Sequence, residues 1–340
     1  KTRAPYDLVK QMRASVLAAG PLLARFGRVH VPIPGGCSIG LRPIDIHLKG
    51  FEDMGADRTM DHGDILLSAA RLKPARVRFK FPSVGATENI MMAAAAVAGL
   101  SVIENAAREP EIKDLAVFLA KMGAKVQGAG TAVIKVTGVS RLRGADHCLI
   151  PDRIETGTFL LACAAAGGSL RLNGARADDL KSLISKMTAA GARISAYEGG
   201  LAISMSRRPQ SVSVETKPHP GFPTDLQAPW MSLMCLARGR ARIKETVFEN
   251  RFLHAAELGR MGARITVLGN TAVIEGVERL NGAPIMASDI RAGAALIVAA
   301  GAAQGRTRLQ RVYHIDRGYE KVESKLRQLG ARARRVNPSL

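Results

Sequence analysis

The sequence predicts an α/β protein built from repeated βαβαββ units and divided into two domains. Three observations carry this. A Gly-Ala pair recurs behind an apolar residue, with glycines at Gly55, Gly123, Gly191, Gly262 and Gly330, spaced by 68, 68, 71 and 68 residues. Around each pair, helix-like runs of small apolar residues alternate with short strand-like runs. Aromatic residues make up only 4% of the chain against 47% hydrophobic, so the interior must be aliphatic, with Ala-rich helices that can approach closely.

The second copy shows the pattern well. Residues 86–98 read as a helix, 101–103 as a strand and 111–122 as a second helix. Gly123 then stops that helix, because only glycine enters the left-handed conformation without a Cβ penalty. Residues 125–127 and 132–136 alternate like paired strands. The third copy repeats this with helices over 157–166 and 178–190, a strand over 170–172 and strand-like sequence over 192–205. In the fourth, 227–237 and 251–261 are the helices and 242–244 the strand. In the fifth, the helices are 291–303 and 319–329. A new unit begins near Cys148-Leu-Ile-Pro151, which sets the expected domains at 1–150 and 151–340.

A length of 340 residues fits two domains of about 150 residues each. The 49 Lys and Arg against 29 Asp and Glu give a net charge of +20, which points to acidic partners. Two segments are densely basic: residues 71–80 hold five basic side chains and no acid, and residues 306–340 hold ten against three. Neither interleaves aromatics for base stacking, and no nucleic-acid motif is present, so solvated basic faces account for them better than nucleic acid does. The longest nearly apolar run, residues 90–103, is 14 long, short of the roughly 18 or more that a membrane span needs. Cys37, Cys148, Cys163 and Cys235 form no CxxC or Cys/His cluster. That argues against a zinc site or a disulfide framework and for a reducing, cytoplasmic setting.

Three features could carry chemistry. In Ile33-Pro-Gly-Gly-Cys37-Ser-Ile-Gly-Leu-Arg42-Pro, a Gly-rich loop presents a thiol near a guanidinium that would favour the thiolate. A surface turn with an incidental Cys reads the same residues equally well. Arginines recur at matching places: Arg13 and Arg291 in first helices, Arg251 and Arg317 before second helices. Recurrence suggests guanidiniums aimed at a shared anionic ligand, although an Arg-rich chain places Arg widely. Pro218-His-Pro-Gly-Phe-Pro-Thr-Asp225 delivers a carboxylate to a helix start, where Asp225 is either an N-cap or a general base.

Eight ordered segments then carry a resemblance. They are 4–15 (Ala-Pro-Tyr-Asp-Leu-Val-Lys-Gln-Met-Arg-Ala-Ser), 34–43 (Pro-Gly-Gly-Cys-Ser-Ile-Gly-Leu-Arg-Pro), 81–87 (Phe-Pro-Ser-Val-Gly-Ala-Thr), 104–111 (Glu-Asn-Ala-Ala-Arg-Glu-Pro-Glu), 151–157 (Pro-Asp-Arg-Ile-Glu-Thr-Gly), 222–225 (Phe-Pro-Thr-Asp), 245–252 (Glu-Thr-Val-Phe-Glu-Asn-Arg-Phe) and 313–319 (Tyr-His-Ile-Asp-Arg-Gly-Tyr). Spanning almost the whole chain, they resemble the UDP-N-acetylglucosamine 1-carboxyvinyltransferase family of enolpyruvyl transferases.

The resemblance implies an inside-out α/β barrel in each of two domains. It implies transfer of enolpyruvyl from phosphoenolpyruvate to the 3′-hydroxyl of UDP-N-acetylglucosamine, with release of phosphate, in peptidoglycan synthesis, without a metal or cofactor. Cys37 matches the family's proton donor, the thiol that fosfomycin alkylates, and Asp225 its proton acceptor. Arg42, Arg251, Arg291 and Arg317 match phosphoenolpyruvate contacts. Arg13, the run Arg42, Pro43, Ile44, Asp45, Ile46, the run Phe81, Pro82, Ser83, Val84, and Val247, together with Asp225, match nucleotide-sugar contacts. The family pattern also has a Gly-Ala-Lys-Asn motif in a preceding unit that these residues lack. The expectation is therefore five of six units, two in the first domain and three in the second, and a poorly active chain. A shikimate-using enolpyruvyl transferase and a non-catalytic basic binding protein are the alternatives.

Overall fold

The computed structural model describes residues 2–9, 13–32 and 44–336, with only the backbone of Arg13. Cys37, Arg42 and Pro43 lie outside the described residues. The chain forms two compact units whose boundary falls between Ile150 and Pro151.

The first unit holds strands β1 (Arg28–Pro32), β2 (Asp57–Asp61), β3 (Asp64–Ser68), β4 (Arg76–Arg78), β5 (Gly99–Glu104), β6 (Lys125–Gln127) and β7 (Val133–Gly138). Its helices are α1 (Tyr6–Val9), α2 (Ala19–Phe26), α3 (Asp45–Asp53), α4 (Val84–Ala95) and α5 (Pro110–Lys121). One sheet runs β1-β3-β2 and the other β4-β5-β7-β6. Strands β4 and β5 are parallel, and β7 joins β5 and β6 antiparallel. Helix α4 packs against α2, α3 and α5. Its Ala86, Ile90, Met91, Ala93, Ala94 and Ala95 are fully buried, as a helix surrounded on every side requires.

The second unit holds β8 (Gly168–Asn173), β9 (Arg193–Tyr197), β10 (Gly200–Met205), β11 (Val214–Glu215), β12 (Arg240–Lys244), β13 (Arg264–Leu268), β14 (Thr271–Glu275), β15 (Pro284–Met286) and β16 (Arg308–Gln310). Its helices are α6 (Arg153–Ala166), α7 (Lys181–Ala189), α8 (Gln227–Cys235), α9 (His254–Arg260), α10 (Ile290–Ala302), α11 (Tyr313–Asp316) and α12 (Val322–Gln328). Its sheets run β8-β10-β9, β11-β12-β14-β13 and β15-β16. Helices α6, α8 and α10 pack on one another, and the Ser232 hydroxyl of α8 donates to the Ala295 carbonyl of α10 at 2.8 Å.

The recurring Gly-Ala pair has one geometry throughout. Gly55, Gly123, Gly191, Gly262 and Gly330 all have φ between +90° and +114°. Each glycine N–H bonds the carbonyl three residues back, and each following alanine N–H the carbonyl five back, as in Gly123→Ala120 at 3.0 Å and Ala124→Leu119 at 3.1 Å. A Cβ at Gly55, Gly123 or Gly330 would meet nothing within 4 Å. The glycine is required by its φ, as in a Schellman-type helix stop.

Several element ends differ from the sequence expectation. Helix α6 starts at Arg153, four residues early, because the Asp152 carboxylate caps the Ile154 and Glu155 amides at 2.7 and 3.1 Å. Helix α9 starts at His254 instead of 251, and α12 at Val322 instead of 319, directly after Lys321, whose left-handed φ of +44° interrupts the helix. The run 178–190 begins as a 3-10 turn, Ala177–Leu180, before α7.

Candidate active site

In the second unit, the loop before α8 is built to present one carboxylate. Phe222 and Leu226 are buried on either side of it. Phe222 meets the edge of Trp230 at 5.6 Å, and the Lys217 N–H bonds the Phe222 carbonyl at 3.0 Å. The intervening residues form the 3-10 turn Thr224–Leu226. Asp225 does not cap α8, whose N-cap position is Leu226 without a side-chain cap bond. The capping alternative therefore gives way to ion pairing. Asp225 Oδ1 accepts from Arg251 Nη2 at 2.9 Å and pairs with Arg291 Nε at 3.1 Å.

The two guanidiniums differ. Arg251 has only 4% of its side chain exposed and lies over the Phe248 ring at 4.7 Å. Its buried Nε and Nη1 have no hydrogen-bond partner among the described residues. Burial opposes the charge on Arg291, but Asp225, Tyr319 and Asp152 hold its guanidinium above the usual range. The fully buried Tyr319 sits at 2.9 Å from the Thr158 hydroxyl, and burial raises its phenol. Beside Arg251, burial pushes the His254 imidazole down to about 4; Arg251 adds to this and Asp289 opposes it. A neutral His254 does not compete for an anion. A buried cation with two unsatisfied donors needs an acceptor, and a phosphate or carboxylate oxygen suits a guanidinium best.

Arg317 is exposed at the end of α11 and forms no ion pair with Asp225 among the described residues. Val247 is inside the same neighbourhood through Glu245, whose carboxylate accepts its amide at 2.8 Å.

In the first unit, Ile44 caps α3, which opens on Asp45 and Ile46, while Phe81 and Pro82 lead through the N-cap Ser83 into α4 at Val84. Buried Asn89 joins the two helices. Its Nδ2 lies 3.1 Å from His47 Nδ1 and donates to the Val16 carbonyl at 2.9 Å, and its Oδ1 accepts the Gly20 amide at 2.8 Å. Gly85 leaves room for the His47 ring, which a Cβ there would meet at 3.3 Å. The Ser83 hydroxyl caps the Ala86 amide at 3.3 Å. Neighbouring helix starts of this kind favour anions.

Sequence reasoning passed over Glu245, His254 and Asn89. The repeat could have flagged Glu245. It follows β12 as Asn105 follows β5, two residues beyond the paired Ile243 and Ile103. Among the described cysteines, Cys148 is exposed, and burial pushes the Cys235 thiol up to about 12. No group of three or more His, Cys, Asp or Glu among the described residues is placed to hold a metal ion. No described helix is long and apolar enough to cross a membrane.

A family model described as EPSP synthase (3-phosphoshikimate 1-carboxyvinyltransferase) matches residues 1–326. The chain is 53% identical over 329 residues to UDP-N-acetylglucosamine 1-carboxyvinyltransferase 1 of Caldanaerobacter subterraneus subsp. tengcongensis, covering 97% of this chain and 79% of that protein. It is 53% identical to the UDP-N-acetylglucosamine 1-carboxyvinyltransferase of Trichlorobacter lovleyi, covering 98% and 80%. Among solved structures it superposes on the enolpyruvyl transferase NikO from Streptomyces tendae with a TM-score of 0.85 at 25% identity, over 97% of this chain and 79% of that one. EPSP synthase from Acinetobacter baumannii shares the fold at a TM-score of 0.67 and 17% identity, over 93% and 76%. The chain belongs to the enolpyruvyl transferase family, among the UDP-N-acetylglucosamine 1-carboxyvinyltransferases.

Proposed function

We propose that the protein transfers the enolpyruvyl group of phosphoenolpyruvate to the 3′-hydroxyl of UDP-N-acetylglucosamine and releases phosphate, as the committed step of peptidoglycan synthesis. One observation supports the site most directly: buried Arg251, with two unsatisfied donors, shares the Asp225 carboxylate with Arg291. Fixed positive charge then stands ready beside a proton acceptor.

The roles follow from that pairing. Arg251 and Arg291, with Arg42 and Arg317, hold the phosphate and carboxylate of phosphoenolpyruvate. An anion that takes over the two guanidiniums releases Asp225 to accept the proton of the sugar hydroxyl. The hydroxyl oxygen bonds to C2 of phosphoenolpyruvate while Cys37 protonates the methylene carbon. Loss of a proton from that carbon and cleavage of the C2–O bond to phosphate then restore the double bond. Arg13, Pro43, Ile44–Ile46, Phe81–Val84 and Val247 are assigned to the nucleotide sugar. The same reading assigns domains to 1–150 and 151–340, gives each an inside-out barrel of βαβαββ units, and places the reaction in the cytoplasm.

The test is phosphate release from phosphoenolpyruvate. Release should depend on UDP-N-acetylglucosamine and should not occur with shikimate 3-phosphate; the reverse preference would defeat the reading. Cys37→Ser should abolish fosfomycin labelling while sparing nucleotide-sugar binding. Labelling that persists at exposed Cys148 would remove Cys37 from the scheme.

A further inference from the structure

Glu245 is 2% exposed and sits where three parts of the candidate site meet. Its Oε1 accepts from the Thr216 hydroxyl at 2.7 Å, the Val247 amide at 2.8 Å and the Phe248 amide at 3.2 Å. Its Oε2 accepts from the Thr224 hydroxyl at 2.8 Å. Thr224 is the neighbour of Asp225. Phe248 carries the Arg251 guanidinium on its ring. One carboxylate thus fastens the turn of the proton acceptor to the turn assigned to the nucleotide sugar.

The residue type fits the task. All four of these bonds come from neutral donors, and an ionised carboxylate offers acceptor sites alone. Four charge-assisted bonds offset much of the cost of burying it. A glutamine would have to turn its own N–H groups toward donors. The Asn105 position in the first unit supports the assignment independently. There the side chain ties back to the Phe79 carbonyl at 3.0 Å, and Phe79 corresponds to Thr216 by strand register. The position bridges two parallel strand ends in both units, but only Glu245 extends the bridge to Thr224 and the 247–248 turn.

We infer that Glu245 is a positioning residue of the transfer reaction: its two oxygens set Asp225 and the Val247 turn relative to each other. The inference rests on the function proposed above. Thr224→Val keeps the side-chain shape and cuts only the Oε2 arm. It should lower kcat about 10- to 100-fold and displace the base-dependent limb of the pH–rate profile, while UDP-N-acetylglucosamine affinity by calorimetry changes less than about 2-fold. Glu245→Gln disturbs both arms and should add a loss of nucleotide-sugar affinity of about 10-fold. If Glu245→Gln fails to fold, Thr224→Val decides the matter alone. Variants that lose thermal stability but keep kcat per folded molecule, KM and pH limb would overturn the inference. If the unaltered chain neither binds UDP-N-acetylglucosamine nor releases phosphate with it, the functional reading falls first and this inference with it.

Discussion

The two units bury charge in opposite ways. In the first, Glu88 lies on α4, and burial, helped by the nearby Glu111 and Glu109, pushes its carboxyl up to about 7. In the second, Arg251 is buried with Asp225 as its ion-pair partner and two donors unsatisfied. A carboxyl can relieve its own desolvation by taking up a proton. A guanidinium cannot shed one in a protein, so it must find a counter-charge. Half-buried Glu88 therefore needs no ligand, whereas buried Arg251, already paired with Asp225, still has two donors that call for an acceptor.

The largest effect is expected at Arg251. Arg251→Met fills a similar volume without a charge. Phosphate release should fall about 10²- to 10³-fold, because a fixed donor for developing negative charge is gone. Stability should hold or rise, since Asp225 keeps Arg291 and a costly buried cation has been removed. A variant that loses stability and activity in step would mean that Arg251 serves packing, and the contrast with Glu88 would collapse.

Much of this contrast could not be read from the sequence. The Gly-Ala recurrence exposed the helix stops, because a positive φ leaves a residue-type signature. The expected α/β character and the Ala-rich buried helices have the same origin in pattern. Asp225, Arg251 and Arg291 were legible as positions, but their joining through one carboxylate oxygen depends on tertiary geometry that spacing does not encode. Arg317 carried the same motif signal but does not join the Asp225 ion pairs among the described residues. Glu245 and Glu88 were silent because a glutamate in a mixed sequence normally reads as solvated. Burial, and what surrounds a carboxyl once buried, arises only when sheets and helices close around it. The start of α12 shifted for a backbone reason that spacing does not show: Lys321, just before it, takes a left-handed φ of +44°.

Glu88 gives the intermediate effect and sharpens the comparison through pH. Its folded value lies above the ordinary 4.5, so the folded state holds the proton more tightly than the unfolded chain. The stabilisation this gives is complete below about 4.5 and is lost as pH rises through about 7. Glu88→Gln should thus be nearly neutral at pH 4.5 and stabilising by on the order of 2–3 kcal/mol at pH 8. Urea midpoints at the two pH values measure it. A gain that does not grow with pH would show that Glu88 does not take up a proton to pay for its burial.

The smallest effect is expected where the ion pairing looks richest. Arg335 bonds Asp316 through Nη1 and Nη2 at 2.9 and 2.6 Å and reaches Glu323 at 3.2 Å. Its ion pairing is denser than that of Arg251. It is nevertheless 43% exposed, so water already solvates the three charges and their mutual gain is the difference between two good environments. Arg335→Ala should cost less than about 1 kcal/mol, and high salt should reduce that further. A loss as large as the Glu88→Gln gain at pH 8, and insensitive to salt, would mean that the charge pairs themselves set the energetics. Burial would then no longer separate the cation that waits for a ligand from the one that merely dresses the surface.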